Sequence, residues 1–391
     1  RAAIFRGMAG RPGRIIAMNP FYLLLSANTP DLSCPAKMLE WNNNRISPRP
    51  TKSTPRMTKL VTFGETMVSY NAKYLGPFDP NVDGPYEVYC AGAESNVCLD
   101  LERLDVPGLE TVWVSKLGMD DEGDTILRSL DGRTTVVAPQ VRENPSGIAY
   151  VNHMQDGSIV KSYRRKGSAA STVTFDDVRP HLTDADALHV TGITPALSPT
   201  THDAIFQTIG YAHKSNVPVV FDVNYRPPIW EPSDARPVFD EMLPYSSVFK
   251  VGHDEAETVW GWGLSAEEYA RRFQRINGRL VIVTRDADGA IAFDGANLVE
   301  HPGYSIDFVD PVGAGDAFIA GFLAEVFRQG TVKSFLAASD DKRRKVLERS
   351  LAVANVCGAL ICTRRGDTEA MPTAQEVAAF LESNNQSDDT P

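Results

Sequence analysis

Short segments that are apolar along their whole length alternate with helix-length segments, and this alternation limits the chain to one broad class of fold. Residues 60–63, 111–114, 187–190, 217–223, 247–251 and 280–284 read as such strands, while 93–104, 121–130, 200–215 and 266–277 have helical length and pattern. A strand without a polar side must be covered on both faces, and parallel neighbours need crossovers of about this length. The expectation is an α/β protein whose mostly parallel central sheet lies between two layers of helices. Ligands in such sheets sit beyond the carboxyl ends of the strands.

One region breaks the rhythm. Gly147-Ile148-Ala149-Tyr150-Val151-Asn152-His153-Met154 and Ile159-Val160-Lys161-Ser162-Tyr163-Arg164 flank a Gln155-Asp156-Gly157-Ser158 turn, which predicts a hairpin. Together with the Tyr- and Val-rich stretch from Met67 to Tyr89, it is expected to form a small separate sheet, a lid built from about 67–90 and 146–166. The competing expectation is that these strands extend the main sheet at its edge.

Composition narrows the class of function. The chain has 391 residues, 42% of them hydrophobic, enough for one large core, and no apolar run approaches the roughly 20 residues of a membrane helix. A net charge of −11 argues against a nucleic-acid partner, and the basic run Lys342-Arg343-Arg344-Lys345, beside Asp340 and Asp341, reads as a solvated helix face. Five cysteines form no CxxC pair and no zinc-spaced cluster, which suits a reduced, cytoplasmic setting.

The first 57 residues carry nine Lys/Arg against two acids and show no sustained period. They are expected to be disordered, an upstream extension outside the working protein, with residues 11–25 only faintly like a targeting peptide. Residues 381–391 are expected to be a disordered tail, leaving one folded domain over 58–380.

The strongest chemical signal is Asp310-Pro311-Val312-Gly313-Ala314-Gly315-Asp316-Ala317-Phe318. Gly313 and Gly315 permit a turn that bares backbone N–H groups, and a helix over about 317–328 adds the positive end of its dipole, so an anion fits there. Asp316 would repel a resting phosphate, which suits an acceptor of a proton from an attacking hydroxyl, while on these residues alone a plain helix cap after a glycine turn is the stronger reading. Arg165 and Lys166 in the hairpin region, and Arg226 after the strand at 217–223, are cations where a ligand would visit. A guanidinium fork suits a carboxylate, while a structural pair of Arg226 with Asp222 or Glu231 is the other reading. Tyr163 is placed to lie against a sugar or to pack. Cys90-Ala91-Gly92-Ala93-Glu94-Ser95-Asn96 is a second glycine turn opening a helix, with Gly92 allowing close approach and Asn96 offering an amide to hydroxyls. The turn from Thr284 through Gly289 passes a nucleotide or simply closes a hairpin. No GxxxxGK[ST] loop occurs, and Gly261-Trp262-Gly263 does not follow a strand, so P-loop and Rossmann chemistry are not expected.

In this order the pieces resemble the ribokinase or PfkB family of sugar kinases, from about residue 60 to about residue 377. The DPVGAGDAF run is similar to the family's nucleotide-side signature. Supporting matches are Ala91-Gly92-Ala93-Glu94-Ser95-Asn96-Val97, and Leu360-Ile361-Cys362-Thr363-Arg364-Arg365-Gly366 followed by Met371-Pro372-Thr373. The runs from Tyr163 to Ser171 and from Asp222 to Trp230 resemble the branch that phosphorylates 2-keto-3-deoxygluconate.

The resemblance implies a ribokinase-like three-layer sandwich with a β-sheet lid. It also implies ATP with Mg²⁺ as donor, a place for a monovalent cation such as K⁺, and transfer to the terminal hydroxyl of a sugar acid, giving the 6-phosphate. By the same resemblance Asp316 is the catalytic base, and Gly313, Ala314 and Gly315 form the anion hole. Gly92, Tyr163, Arg165 and Arg226 contact the sugar acid, and Thr284, Gly289 and Asn355 wrap the nucleotide. Glu255 keeps the acid of an Asn-x-x-Glu motif whose Asn is here Gly252, and is assigned to Mg²⁺ through water. Asp286 stands where a glycine is common, and Ala149 where the keto-acid branch often has a tyrosine. A kinase for a neutral sugar such as fructose or ribose, and a non-catalytic binding regulator on the same fold, are the alternatives; an exposed lid edge offers pairing with a second copy.

Overall fold

The apolar runs become interior strands, and the helix-length segments cross over them. The structure, a computed structural model, describes residues 57–76, 86–156 and 158–387; the expected N-terminal extension lies outside the described residues but for Met57. In chain order the strands are β1 (Thr58–Phe63), β2 (Met67–Leu75), β3 (Tyr86–Ala91), β4 (Leu109–Val114), β5 (Leu117–Gly118), β6 (Thr135–Val137), β7 (Gln140–Val141), β8 (Gly147–His153), β9 (Ile159–Arg164), β10 (Ala187–Thr191), β11 (Val219–Asp222), β12 (Val248–Gly252), β13 (Leu280–Thr284), β14 (Ala290–Phe293) and β15 (Leu298–His301). The helices are α1 (Ala93–Arg103), α2 (Asp121–Leu130), α3 (Phe175–Val178), α4 (Pro199–Lys214), α5 (Pro232–Met242), α6 (His253–Trp260), α7 (Ala266–Asn277), α8 (Ala314–Arg328), α9 (Val332–Leu336), α10 (Asp340–Ile361) and α11 (Ala374–Ser387).

Nine strands form the main sheet in the order β15-β14-β13-β12-β11-β10-β1-β4-β6. They are parallel from β13 to β6, and β14 and β15 add an antiparallel edge. From β1 the chain builds outward through β4 and β6, then returns to β10 and builds the other way. The topological switch therefore falls between β1 and β10, where an open α/β sheet takes its ligand.

The sheet separates two apolar layers. On one face Leu60, Ala187, Val220, Val248 and Leu280 pack against α8 and α10. On the other, Val61, Val190, Phe221, Phe249 and Val283 pack against α4, α5, α6 and α7. The α8 face turns polar toward the carboxyl ends. Register places Thr62 opposite His189, Thr191 opposite Asp222, and Asp222 opposite Lys250. Covering this face is α8, buried from Asp316 to Phe327 as an interior helix must be.

A second sheet stands apart from the first in the order β3-β2-β8-β9, so the hairpin does not extend the main sheet. β8 and β9 pair antiparallel across the expected turn, while β2 and β8 run parallel. Both halves of this sheet enter from the switch region, one after β1 and one between β6 and β10.

Several boundaries differ from expectation. The α8 helix begins at Ala314 rather than 317, which draws Gly315 and Asp316 into its first turn. The tail expected from 381 is helical through Ser387, because Phe380 and Leu381 pack on the core and continue α11. The basic run lies in the first turns of α10, with Arg343 paired to Asp294 and Asp340, and Arg344 to Glu348. Among the described residues the cysteines are free, and no helix is long and apolar enough to cross a membrane.

Candidate active site

Gly313 caps α8 at φ +80°, a left-handed conformation in which a side chain would also come within 2.6 Å of Asp367 Oδ1 and 2.9 Å of Ile361 Cδ1. Only glycine suits both demands. The turn leaves the first N–H groups of α8 without acceptors further back in the helix, and it sets Asp316 beside them.

Both oxygens of the buried Asp316 carboxylate accept amide hydrogens. Asn96 Nδ2, from α1, donates to Oδ2 at 2.9 Å, and Asn224 Nδ2, just past β11, donates to Oδ1 at 3.0 Å. Asn96 Nδ2 also donates to Asp367 Oδ1 at 2.9 Å, and its own Oδ1 accepts from Gly92 N. The expectation for Asn96 was an amide free for substrate hydroxyls. The structure instead places that amide between two carboxylates, so its donors are already engaged.

Charge in this cluster is high and buried. Burial pushes the Asp316 carboxyl above its ordinary range, while the Arg226 charge and the Asn96 amide pull it back. Asp367 is pushed up to about 7 by burial and by the charge of Asp316. Glu94 also rises to about 7 through burial, against hydrogen bonds from Thr194 and Thr191, and its Oε2 has no partner. Lys250 Nζ donates to Asp222 Oδ2 at 2.8 Å, with both side chains almost fully enclosed. Burial would neutralise Lys250, but Asp222 and Glu255 more than offset this and hold it charged. Its ammonium sits under the turn: a Cβ added at Gly315 would lie 3.1 Å from Nζ.

A cavity of about 500 Å³ opens between the small sheet and this turn. Its walls bring together Gly92, Asn96, Tyr163, Arg165, Arg226 and the Gly313, Ala314, Gly315 and Asp316 run. A side chain at Gly92 would collide with the Glu65 carbonyl oxygen, so the close approach there is of backbone to backbone. Arg165 reaches the wall already paired. Its Nε donates to Glu65 Oε2 at 2.7 Å, its Nη2 lies 2.7 Å from the same oxygen, and Ser168 Oγ donates to Oε1. Tyr163 presents its ring 5.7 Å from the Arg165 guanidinium. Arg226 is nearly half exposed. Neither expected pairing forms: Asp222 is bound to Lys250, and Arg226 Nη1 donates to Tyr225 O at 3.1 Å and lies 3.9 Å from Glu255 Oε1.

Four expected residues lie off the cavity wall. Thr284 ends β13 opposite Ala290, and Gly289 closes that hairpin at φ +82°. Asp286, where a glycine is common, has φ +49°, the backbone state that explains the usual residue. Asn355, in α10, donates to Leu351 O and lies 3.2 Å from His301 Nδ1. Glu255 accepts from Tyr225 N and Gly252 N, capping α6.

Glu65, Glu94, Asn224, Lys250 and Asp367 were absent from the expected set. Lys250 carried a signal, a charge inside the apolar run Val248-Phe249-Lys250-Val251. Asn224 carried another, a polar residue two places after Asp222, where the strand ends. Chemically, the assembly joins one fixed carboxylate, a helix N-terminus and cavity arginines. It can take a proton from a hydroxyl while tolerating anionic groups close by.

Comparison with known proteins places the chain in a family. Residues 57–374 match the pfkB family carbohydrate kinase family. The chain is 32% identical over 333 residues to a 2-dehydro-3-deoxygluconokinase of Bacillus subtilis (strain 168), covering 82% of this chain and 94% of that one. It is 31% identical over 305 residues to a 2-dehydro-3-deoxygalactonokinase of Haloferax volcanii, covering 75% and 93%. Among solved structures, a PfkB protein from Polaromonas sp. JS666 superposes with a TM-score of 0.68 at 27% identity, over 82% of this chain and 99% of that one. The 2-dehydro-3-deoxygluconokinase of Thermotoga maritima gives a TM-score of 0.70 at 24% identity, over 84% and 99%. The chain belongs to the pfkB family of carbohydrate kinases.

Proposed function

We propose that this kinase transfers the γ-phosphoryl of ATP to the terminal hydroxyl of a sugar acid, 2-keto-3-deoxygluconate being the substrate of choice, to give the 6-phosphate. The observation that carries the reading is the Asp316 carboxylate, buried, held by two amides and facing a cavity walled by Arg165 and Arg226. Relatives named for closely related sugar acids point the same way.

Asp316 orients the hydroxyl. Even raised by burial, a carboxylate does not strip an alcohol outright, so the proton passes to it late, as the acceptor oxygen bonds to phosphorus and the nucleotide leaves. Gly313, Ala314 and Gly315 are assigned as the backbone N–H groups that meet charge developing on the phosphoryl oxygens, the Ala314 N–H donating to Pro311 O at 3.2 Å in this structure, with the Lys250 ammonium beneath them. ATP supplies the phosphoryl group, and Mg²⁺ supplies charge neutralisation between its phosphates. Among the described residues no group of three His, Cys, Asp or Glu is placed to hold a metal, which suits an ion that arrives with the nucleotide, and Glu255 remains its candidate contact through water. Thr284, Gly289 and Asn355 are assigned to the nucleotide side.

A neutral-sugar kinase is the second reading, and the Glu65–Arg165 pair favours it, because it already satisfies part of the guanidinium. An ADP-release assay over a panel of sugar acids and neutral sugars decides between them. Turnover confined to neutral sugars would overturn the first reading. Asp316→Asn is expected to lower kcat by about 10²–10⁴ with binding little changed, and a fully active variant would remove the base assignment.

A further inference from the structure

Asn224 occupies a position that folding alone does not favour. It is buried at φ +43°, a left-handed backbone state that suits glycine, and its Oδ1 has no partner. Asparagine tolerates this backbone state better than most side chains, so the unpartnered buried oxygen is the main cost. Its neighbours hold it there: Asp222 is tied to Lys250, Val223 N donates to Lys250 O, and Tyr225 N donates to Glu255 Oε1. What the side chain contributes is a single donor, Nδ2, placed 3.0 Å from Asp316 Oδ1. Strain of this kind persists where the surrounding structure enforces it and a function uses it.

We propose that Asn224 is a positioning residue for the kinase reaction: its amide fixes Oδ1 of Asp316, as Asn96 fixes Oδ2, so that the carboxylate plane meets the substrate hydroxyl in one orientation. An amide N–H only donates, so this contact also favours the ionised form that accepts the proton. The inference rests on Asp316 being the proton acceptor and is independent of which sugar is bound. The charged groups facing Asp316 are Arg226 beyond β11, Lys250 on β12, Asp222 on β11, Glu94 and Asp100 on α1, and Asp367 after α10. The variants below leave all six in place.

Asn224→Gly keeps the backbone conformation, removes the unpartnered oxygen and deletes the donor. Its melting temperature is expected to stay close to that of the wild type, the donor lost by the buried Asp316 Oδ1 offsetting the removal of the unpartnered oxygen, while kcat falls about 10–100-fold and KM changes little. A kcat within twofold of wild type, or a large drop in melting temperature, would overturn the proposal. Asn224→Asp sets a second carboxylate against Asp316, and the acid limb of kcat should move up by a pH unit or more; an unmoved limb counts against it. The Asp316 carboxyl resonance, assigned by its loss in Asp316→Asn, should titrate at higher pH in Asn224→Gly than in wild type. That readout needs no turnover. A wild type inactive on every sugar acid therefore removes the substrate reading alone, whereas an unchanged titration removes the role of Asn224.

Discussion

Removing Arg165 should destabilise the protein as well as weaken substrate binding, and the two effects can be separated. The guanidinium places Nε and Nη2 on one oxygen of Glu65, whose side chain is 0% exposed, and Ser168 Oγ donates to the other oxygen. Arg165→Ala leaves that carboxylate enclosed without its cation, a change expected to cost about 3–5 kcal/mol. Against a total stability of about 5–15 kcal/mol, that is a large share of the folding free energy. Glu65→Leu combined with Arg165→Met removes both charges and should return to within about 1–2 kcal/mol of wild type. Urea unfolding followed by tryptophan fluorescence, to which the buried Trp113 and Trp260 contribute, measures the stabilities, and KM for the sugar acid, taken where each variant is folded, measures the site. Both variants should show a raised KM, but only Arg165→Ala should show the large loss of stability. A double variant as unstable as the single one, or a single variant within about 1 kcal/mol of wild type, would refute the reasoning.

Gly313→Ala forces a side chain into a left-handed position at about 1–2 kcal/mol and crowds Asp367 and Ile361 at about 1–3 kcal/mol more. Its melting temperature should fall by several degrees along with kcat; unchanged melting would show that the turn relaxes freely. Because burial raises the Asp316 carboxyl and its ionised form is the reactive one, the acid limb of kcat should lie above the ordinary aspartate range, near pH 4. A profile flat down to pH 4 would contradict this. Glu94 titrates near 7 in the folded protein, so the native state retains a proton that the unfolded chain releases at lower pH. Its contribution to stability is then present below about pH 4.5 and lost as pH rises to about 7, a change of about 3 kcal/mol. Glu94→Gln should shrink the difference in unfolding free energy between pH 5 and pH 8, and an identical difference in both proteins would remove the assignment.

Much of the fold was legible because its signals are local. An apolar run such as 280–284 announces a doubly covered strand, and an Asp-Gly turn between alternating segments announces a hairpin. The GAGD turn was legible for the same reason, as a glycine turn followed at once by a helix. Boundaries were less so: nothing within 381–391 says that Phe380 and Leu381 have a core to reach.

The site was legible only in part. Asp316, Arg165 and Arg226 stand out as charged residues at predicted turns, and the structure gathers them around one cavity. That Arg165 is already held by Glu65, 100 positions away, and that Asn96 serves two carboxylates rather than a free hydroxyl, followed from no local pattern.

By itself, then, the order of residues determined the layers, the strand direction and the presence of a glycine turn with an acid in it, because these depend on patterns a few residues long. Tertiary structure alone decided which polar atoms meet. Lys250 finds Asp222 because β11 and β12 are neighbours in register, and Asp316 finds Asn96 and Asn224 from 220 and 92 residues away because α1 and the end of β11 converge on the first turn of α8. Hydrogen bonds and ion pairs act over a few ångströms, so partners distant in sequence acquire their chemistry only when packing brings them within reach.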